Sequence, residues 1–253
     1  MVPRSEARRR PRKTGQLSLP IRTWGGARRG AGRPPTGGRA GVSHLKRPPL
    51  DSHHPVHVTL RVADGLPKLR ARPVYRRVER AIREGRERLG GRLVQFSVQG
   101  NHVHFIVEAA NRRALSRFVQ GLSVRLARAV NGERRGRVFA DRFHARVLRT
   151  PREVKNALAY VLGNRQKHLA EGGVSLVGVL DECSSARWFD GWTIPDARER
   201  ALGLARAGPG DPPVAEARTW LLRVGWRRAG RVDPNGVPGA RRGARRRTLR
   251  GQS

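Results

Sequence analysis

The sequence predicts an α+β fold of the ferredoxin-like kind, an antiparallel sheet with helices packed on one face. Basic N- and C-terminal extensions, disordered when free, flank it. Three observations predict this. Stretches of alternating apolar and polar residues, the mark of half-buried strands, recur between residues 56 and 148. Stretches with apolar residues at helical spacing separate them, in the order strand, helix, strand, strand, helix, strand, helix. The first six of these make the split βαβ arrangement. Outside this core the chain is rich in Arg, Gly and Pro with no sustained apolar period, so nothing offsets the entropy cost of ordering it.

The first strand is read where Val56, Val58, Leu60 and Val62 alternate with His57, Thr59 and Arg61. Asp64-Gly65 and Pro67 make a turn. Pro73 opens a helix with Val74, Val78, Ala81, Ile82 and Leu89 on its apolar side, closed by Gly90-Gly91. Residues 93–99 form the second strand, with Val94, Phe96 and Val98 inward. Gly100-Asn101 is a two-residue hairpin turn into the third strand. There Val103, Phe105 and Val107 share one side, and His102, His104, Ile106 and Glu108 share the other, expected to be open.

Asn111 caps a second helix with a stripe of Leu115, Phe118, Val119, Leu122, Leu126 and Val130, ended by Asn131-Gly132. Residues 138–148 read as one long strand in which Arg142 and Arg146 share a face. Thr150-Pro151-Arg152-Glu153 is a capping box with proline at the first helical position, the sharpest helix start in the chain. Beyond residue 170 the pattern weakens. Residues 174–180 are apolar, Trp188, Phe189 and Trp192 cluster, residues 208–213 read as a linker, and Trp220, Leu221, Leu222, Val224 and Trp226 point to a short helix.

A formal net charge of +35 over 253 residues implies a polyanionic partner, most simply nucleic acid. No apolar run approaches the ~20 residues of a membrane span, so no membrane partner is expected. No apolar stretch of roughly 7–15 residues follows the basic N-terminus, so a secretory signal is not expected either. A single cysteine, Cys183, excludes an intramolecular disulfide and Cys-rich zinc modules. The expected setting is cytoplasmic and nucleic-acid-associated. Scarce lysine beside abundant Arg, Gly, Ala and Pro also fits a GC-rich genome, so part of the arginine is codon bias. Arg28, Arg29 and Arg33 lie in a Gly-Arg-Pro segment of the kind that tracks an A·T-rich minor groove, with a plain solvated tail as the alternative.

At 100° per residue, Val154, Leu158, Val161 and Leu162 fall on one side of the third helix. Tyr160 falls on the other, with Glu153, Asn156, Asn164 and Lys167. A phenol is a poor nucleophile unaided. Attack on a phosphodiester needs in-line positioning and neutralisation of charge on the phosphoryl oxygens, which a divalent cation supplies as a Lewis acid. Imidazoles two residues apart on one strand face, His102 and His104, together with the Asn164 amide oxygen, would hold such an ion. The product would be a 5′-phosphotyrosine and a free 3′-OH, a step that a second strand end can reverse.

Three segments carry a family resemblance: Asn101-His102-Val103-His104, Arg142-Phe143-His144-Ala145-Arg146, and Ala159-Tyr160-Val161-Leu162-Gly163-Asn164. They resemble the HUH-type, IS200/IS605-like single-tyrosine transposases of bacterial insertion sequences, and especially the REP-associated tyrosine transposases. The resemblance covers roughly residues 55–170. It implies His102, His104 and Asn164 as metal ligands, Tyr160 as nucleophile, Mg²⁺ or Mn²⁺ as cofactor, and single-stranded or hairpin DNA as partner. Arg142, Arg146, Lys167, Arg28, Arg29 and Arg33 are the expected DNA contacts. Monomeric and homodimeric states are both open, and a nucleoid-associated location in a bacterial cytoplasm is expected. Two departures stand out: Arg165 follows Asn164 where many relatives have proline, and Asn replaces the commoner Gln.

The expected domain boundaries are a basic disordered arm at 1–54, a catalytic domain at 55–170, a C-terminal extension at 171–226 and a basic tail at 227–253. His53, His54 and His57 read as linker and strand histidines, and His144 and His168 as surface or supporting residues. Trp188 and Trp192 either stack bases or pack the extension onto its domain. The competing function is a non-catalytic DNA- or RNA-hairpin binder that uses the same sheet face. Folds of that type carry aromatic residues on their central strands, and this face has none.

Overall fold

A computed structural model of the chain describes residues 49–165, 180–193, 212–234 and 236, all within the unit spanning residues 41–253. Arg28, Arg29, Arg33, Lys167 and His168 lie outside the described residues. The elements run β1 (Val56–Arg61), α1 (Arg72–Gly85), β2 (Glu87–Arg88), β3 (Gly91–Val98), β4 (His102–Ala109), α2 (Arg112–Asn131), β5 (His144–Val147), α3 (Pro151–Leu162) and α4 (Trp220–Arg223). Short 3-10 helices occupy Ser185–Trp188 and Gly225–Ala229. Among the described residues no helix is long and apolar enough to cross a membrane.

The strand order is β2-β3-β4-β1-β5, and every adjacent pair is antiparallel. Without the two-residue β2, this is the order that the split βαβ arrangement requires. Local chemistry starts the helices where expected. Asn111 accepts a hydrogen bond from the Ala114 amide, and Thr150 and Glu153 form the reciprocal capping box of α3.

Helices cover both faces of the sheet, not one. On the first face Val58, Leu60, Phe96, Phe105 and Val107 pack with Val78 and Ile82 of α1 and Phe118 and Leu122 of α2. Gly91 lets α2 come close, since a Cβ there would lie 2.3 Å from Phe118 Cγ. On the second face Val94, Ile106 and Leu148 pack with Val154, Leu158 and Val161 of α3, and with Phe189, Trp192, Leu222 and Trp226 of the extension. The face expected to be open is therefore buried at Gln95, Ser97, Gln99, His104, Ile106 and Glu108.

The extension is fastened by polar groups as well as by apolar packing. Glu108 accepts hydrogen bonds from the amides of Arg218 and Thr219 and from Thr219 Oγ1, at 2.8–3.0 Å. Ser185 Oγ accepts from the Phe96 amide (2.9 Å) and donates to Gln95 Oε1 (2.6 Å). Phe189 stacks edge-on against Trp192 at 5.2 Å and lies 5.3 Å from Trp226. Trp192 is thus packing and not a platform for bases. The packed region continues into the expected basic tail, where Val232 is buried and bridges to Trp192.

Four further expectations differ locally. A bulge between Leu93 and Gln95 turns Leu93 onto the α1–α2 face and Val94 onto the α3 face, reversing both. Helix α1 ends at Gly85 and not at Gly90-Gly91, because Glu87 and Arg88 pair with Arg92 and Gly91 instead. Leu89 is then no core residue but sits at φ +54°, 48% exposed. Residues 138–148 are not one strand. The run pairs with β1 near Phe139, bends where the Asp141 carboxylate accepts from the Arg142 amide, and resumes at His144. Arg142 therefore lies outside the strand that carries Arg146.

Trp226 is almost fully buried against α3, and truncating it leaves a large cavity in the second core. Trp226→Ala is expected to lower stability by about 3–5 kcal/mol, measured by urea unfolding. A loss under about 1 kcal/mol would mean that the extension contributes little to the fold.

Candidate active site

The site begins with the register of three strands. In the β1–β4 pair, Thr59 lies opposite His104 and His57 opposite Ile106. On the other edge of β1, His144 lies opposite Thr59 and Arg146 opposite His57. The period-two alternation puts all these side chains on the α3 side of the sheet.

The imidazoles of His102 and His104 meet edge to face, with ring centroids 4.8 Å apart. Their Nδ1 atoms are both engaged. His102 Nδ1 is 2.9 Å from Asn101 Oδ1. An amide oxygen only accepts, so Nδ1 carries the proton and Nε2 keeps the free lone pair. His104 Nδ1 is 3.1 Å from Thr59 Oγ1 and 3.2 Å from His57 Nε2. These partners orient the ring in the manner of the outer shell of a metal-binding histidine. Burial first, then electrostatic interaction with His144 and Arg146, push the His57 pKa down to about 4. His57 is therefore neutral at pH 7 and adds no charge beside its neighbour.

The capped start of α3 sets the helix across this face and brings Tyr160 over the same group. Its ring centroid is 5.2 Å from His104 and 5.8 Å from His57. Tyr160 is half-buried. The chain's other tyrosine, Tyr75, donates to the Glu182 carbonyl, and burial pushes its pKa upward. Burial likewise holds the Cys183 thiol up at about 11, so it is no thiolate nucleophile.

Asn164 lies just past the end of α3 and is 1% exposed. Neither Oδ1 nor Nδ2 has a hydrogen-bond partner among the described residues. Such burial is costly unless another group satisfies the amide. Also among the described residues, no three His, Cys, Asp or Glu side chains are arranged to hold a metal. A cation here would need a ligand of another kind, and a buried amide oxygen lacking a partner fits that need. In donor chemistry, two imidazole nitrogens from His102 and His104 and the amide oxygen of Asn164, one turn past Tyr160, suit a divalent ion.

Arg146 is exposed at the edge of the cluster, with Nη2 3.5 Å from Glu153 Oε1, and His144 is exposed beside it. Arg142 is half-buried at the bend before β5. Sequence reasoning missed His57. The alternation that sends Val56 and Val58 inward also sends His57 and Thr59 to the histidine side, but only the β1–β4 register joins them to His104. His53 and His54 precede β1 and His57 lies in it, as linker and strand histidines should, and His53 pairs with Asp51 at the surface (2.7 Å).

Residues 52–161 match the family described as "Transposase IS200 like". No curated protein matches the sequence. A solved structure described as "Structure of the REP associates tyrosine transposase bound to a REP hairpin" superposes with a TM-score of 0.47 at 15% identity. The superposition covers 70% of this chain and 93% of that one.

The unsatisfied Asn164 amide generates a stability prediction. Asn164→Leu should stabilise the metal-free chain by about 1–3 kcal/mol, by removing a buried polar group that has no partner. Urea unfolding in the presence of a chelator measures it, and a lower midpoint for the variant would contradict it.

Proposed function

We propose, from the match of residues 52–161 to the IS200-like transposase family, that the chain cleaves and rejoins single-stranded DNA through Tyr160. The observation that carries the proposal is the Tyr160 ring 5.2 Å from His104, which itself packs against His102.

The reaction follows from those groups. The Tyr160 oxygen attacks the scissile phosphorus, an O–P bond forms, and the bond to the 3′ oxygen breaks. The proton that the phenol gives up is matched by the one that the leaving 3′ oxygen takes. The 5′ end stays on the protein as a phosphotyrosine. Because one phosphodiester replaces another, a 3′-OH from a second strand end reverses the step and joins the DNA. Mg²⁺ or Mn²⁺, held by His102, His104 and Asn164, would supply Lewis-acid neutralisation of the phosphoryl oxygen. His57 and Thr59 keep the His104 ring aimed at that position, and α3 keeps the phenol in range.

DNA reaches the site along positive charge. Arg146 lies opposite His57 beside the cluster, and we assign to it, to Arg142, to Lys167 and to Arg28, Arg29 and Arg33 of the arm contacts with the phosphate backbone. A single strand or the foot of a hairpin is the fitting substrate, because the phenol must approach one unstacked phosphodiester in line. A binder using the bare sheet face is disfavoured, since α3 and the extension bury that face.

Tyr160→Phe should abolish the covalent protein–DNA adduct and reduce cleavage of a labelled single-stranded hairpin by on the order of 10⁴-fold or more. Denaturing electrophoresis with and without Mn²⁺ measures both. An adduct that persists in the variant would assign the chemistry to another residue.

A further inference from the structure

The groups proposed to hold the ion come from two distant parts of the chain: the β3–β4 hairpin that ends at His102, and the end of α3 where Asn164 lies. Both are tied to one carboxylate of the C-terminal extension. On the hairpin side, Leu69 donates to the Gly100 carbonyl (2.9 Å), and Arg70 Nη1 donates to the Val98 carbonyl (2.9 Å). The same guanidinium grips Asp181 with two hydrogen bonds, Nη1 to Oδ2 at 2.9 Å and Nη2 to Oδ1 at 2.7 Å. On the helix side, Arg165 is the residue after Asn164, and its Nη1 is 3.7 Å from Asp181 Oδ1.

Asp181 is itself held in place. Its Oδ1 accepts from the Cys183 amide (3.1 Å), and its carbonyl accepts from Ser184 Oγ (2.7 Å). The turn that these bonds make is paired to β3, with the Val98 amide donating to the Cys183 carbonyl (2.8 Å). The Asp181 side chain is only 2% exposed. A buried carboxylate gripped by a two-pronged guanidinium sets geometry more than it adds stability, because desolvation offsets much of the attraction.

We propose that Asp181 is a positioning residue of the candidate active site, holding the His102 hairpin and the Asn164 end of α3 at one fixed separation through Arg70 and Arg165. The inference rests on the metal reading given under the proposed function. It gives the extension a task beyond covering the sheet: without Asp181 the imidazole and amide ligands still exist but are no longer held in register with each other. Loss of a group hydrogen-bonded to a metal ligand weakens metal binding about 10- to 100-fold in general, and Asp181 acts one step further out, through Arg70 and Arg165.

The test uses the full, metal-free chain without DNA. Mn²⁺ binding is read from the spin-resonance signal of the free aquo ion, and urea midpoints are taken on the same samples. Asp181→Asn and Arg165→Gln are each expected to weaken Mn²⁺ binding by about 10-fold, the low end of that range. Arg165→Gln should leave the urea midpoint near that of the parent chain. It decides the question if Asp181→Asn fails to fold. Thr219→Ala loosens the same extension at Glu108 and should leave Mn²⁺ binding within about twofold. Parent-like Mn²⁺ affinity in both site variants overturns the proposal and leaves the metal reading standing. Equal weakening by Thr219→Ala overturns it too, since general loosening would then be the cause. A parent chain that binds no Mn²⁺ overturns the metal reading and this inference together.

Discussion

The packing of α3 across the sheet face opposite α1 and α2 is the constraint on which the site depends. It brings a tyrosine from a helix into contact with histidines from the middle of a sheet, and it does so by burying apolar residues on the same helix. Val154, Leu158 and Val161 anchor α3 on Ile106 and Leu148. Tyr160 is carried to His104 by the same rotation that buries its neighbours. Packing and positioning are therefore one event, and a change that slides α3 by a turn would keep much of the core while separating the phenol from the imidazoles.

A single helix cannot cover a five-stranded face, and this explains the C-terminal extension. Its aromatic residues, Phe189, Trp192 and Trp226, complete the second core, and Glu108 and Arg70 fasten it where apolar packing alone would not fix its register. Buried polar groups of this kind are stable only when satisfied. Glu108 meets that condition fully, whereas among the described residues Asn164 has no partner. The contrast is between a carboxylate satisfied by the extension and an amide that no described residue satisfies.

What could be read from the sequence was local, and what could not was set by pairing. The capping box at Thr150 and Glu153, the cap at Asn111 and the alternation of β4 are encoded within a few residues, and the structure has them where the pattern put them. The reversal of Leu93 and Val94 depends on a bulge defined only by the partner strand. The early end of α1 depends on Glu87 finding Arg92. His57 joins His104 only through the β1–β4 register, so period two showed its face but not its partner. The covering of the histidine face by the extension came from segments whose weak periodicity gave no hint of where they dock. The adjacency of His102 and His104, by contrast, followed from spacing alone.

The central claim is that two imidazoles, one amide and one phenol act on a single phosphodiester around one divalent ion. The most direct measurement is anomalous diffraction from crystals of the full chain grown with Mn²⁺. The account predicts one strong anomalous peak within coordination distance of His102 Nε2, His104 Nε2 and Asn164 Oδ1, on the side facing Tyr160. A peak held by other residues, or no peak at that position at saturating Mn²⁺, would contradict it.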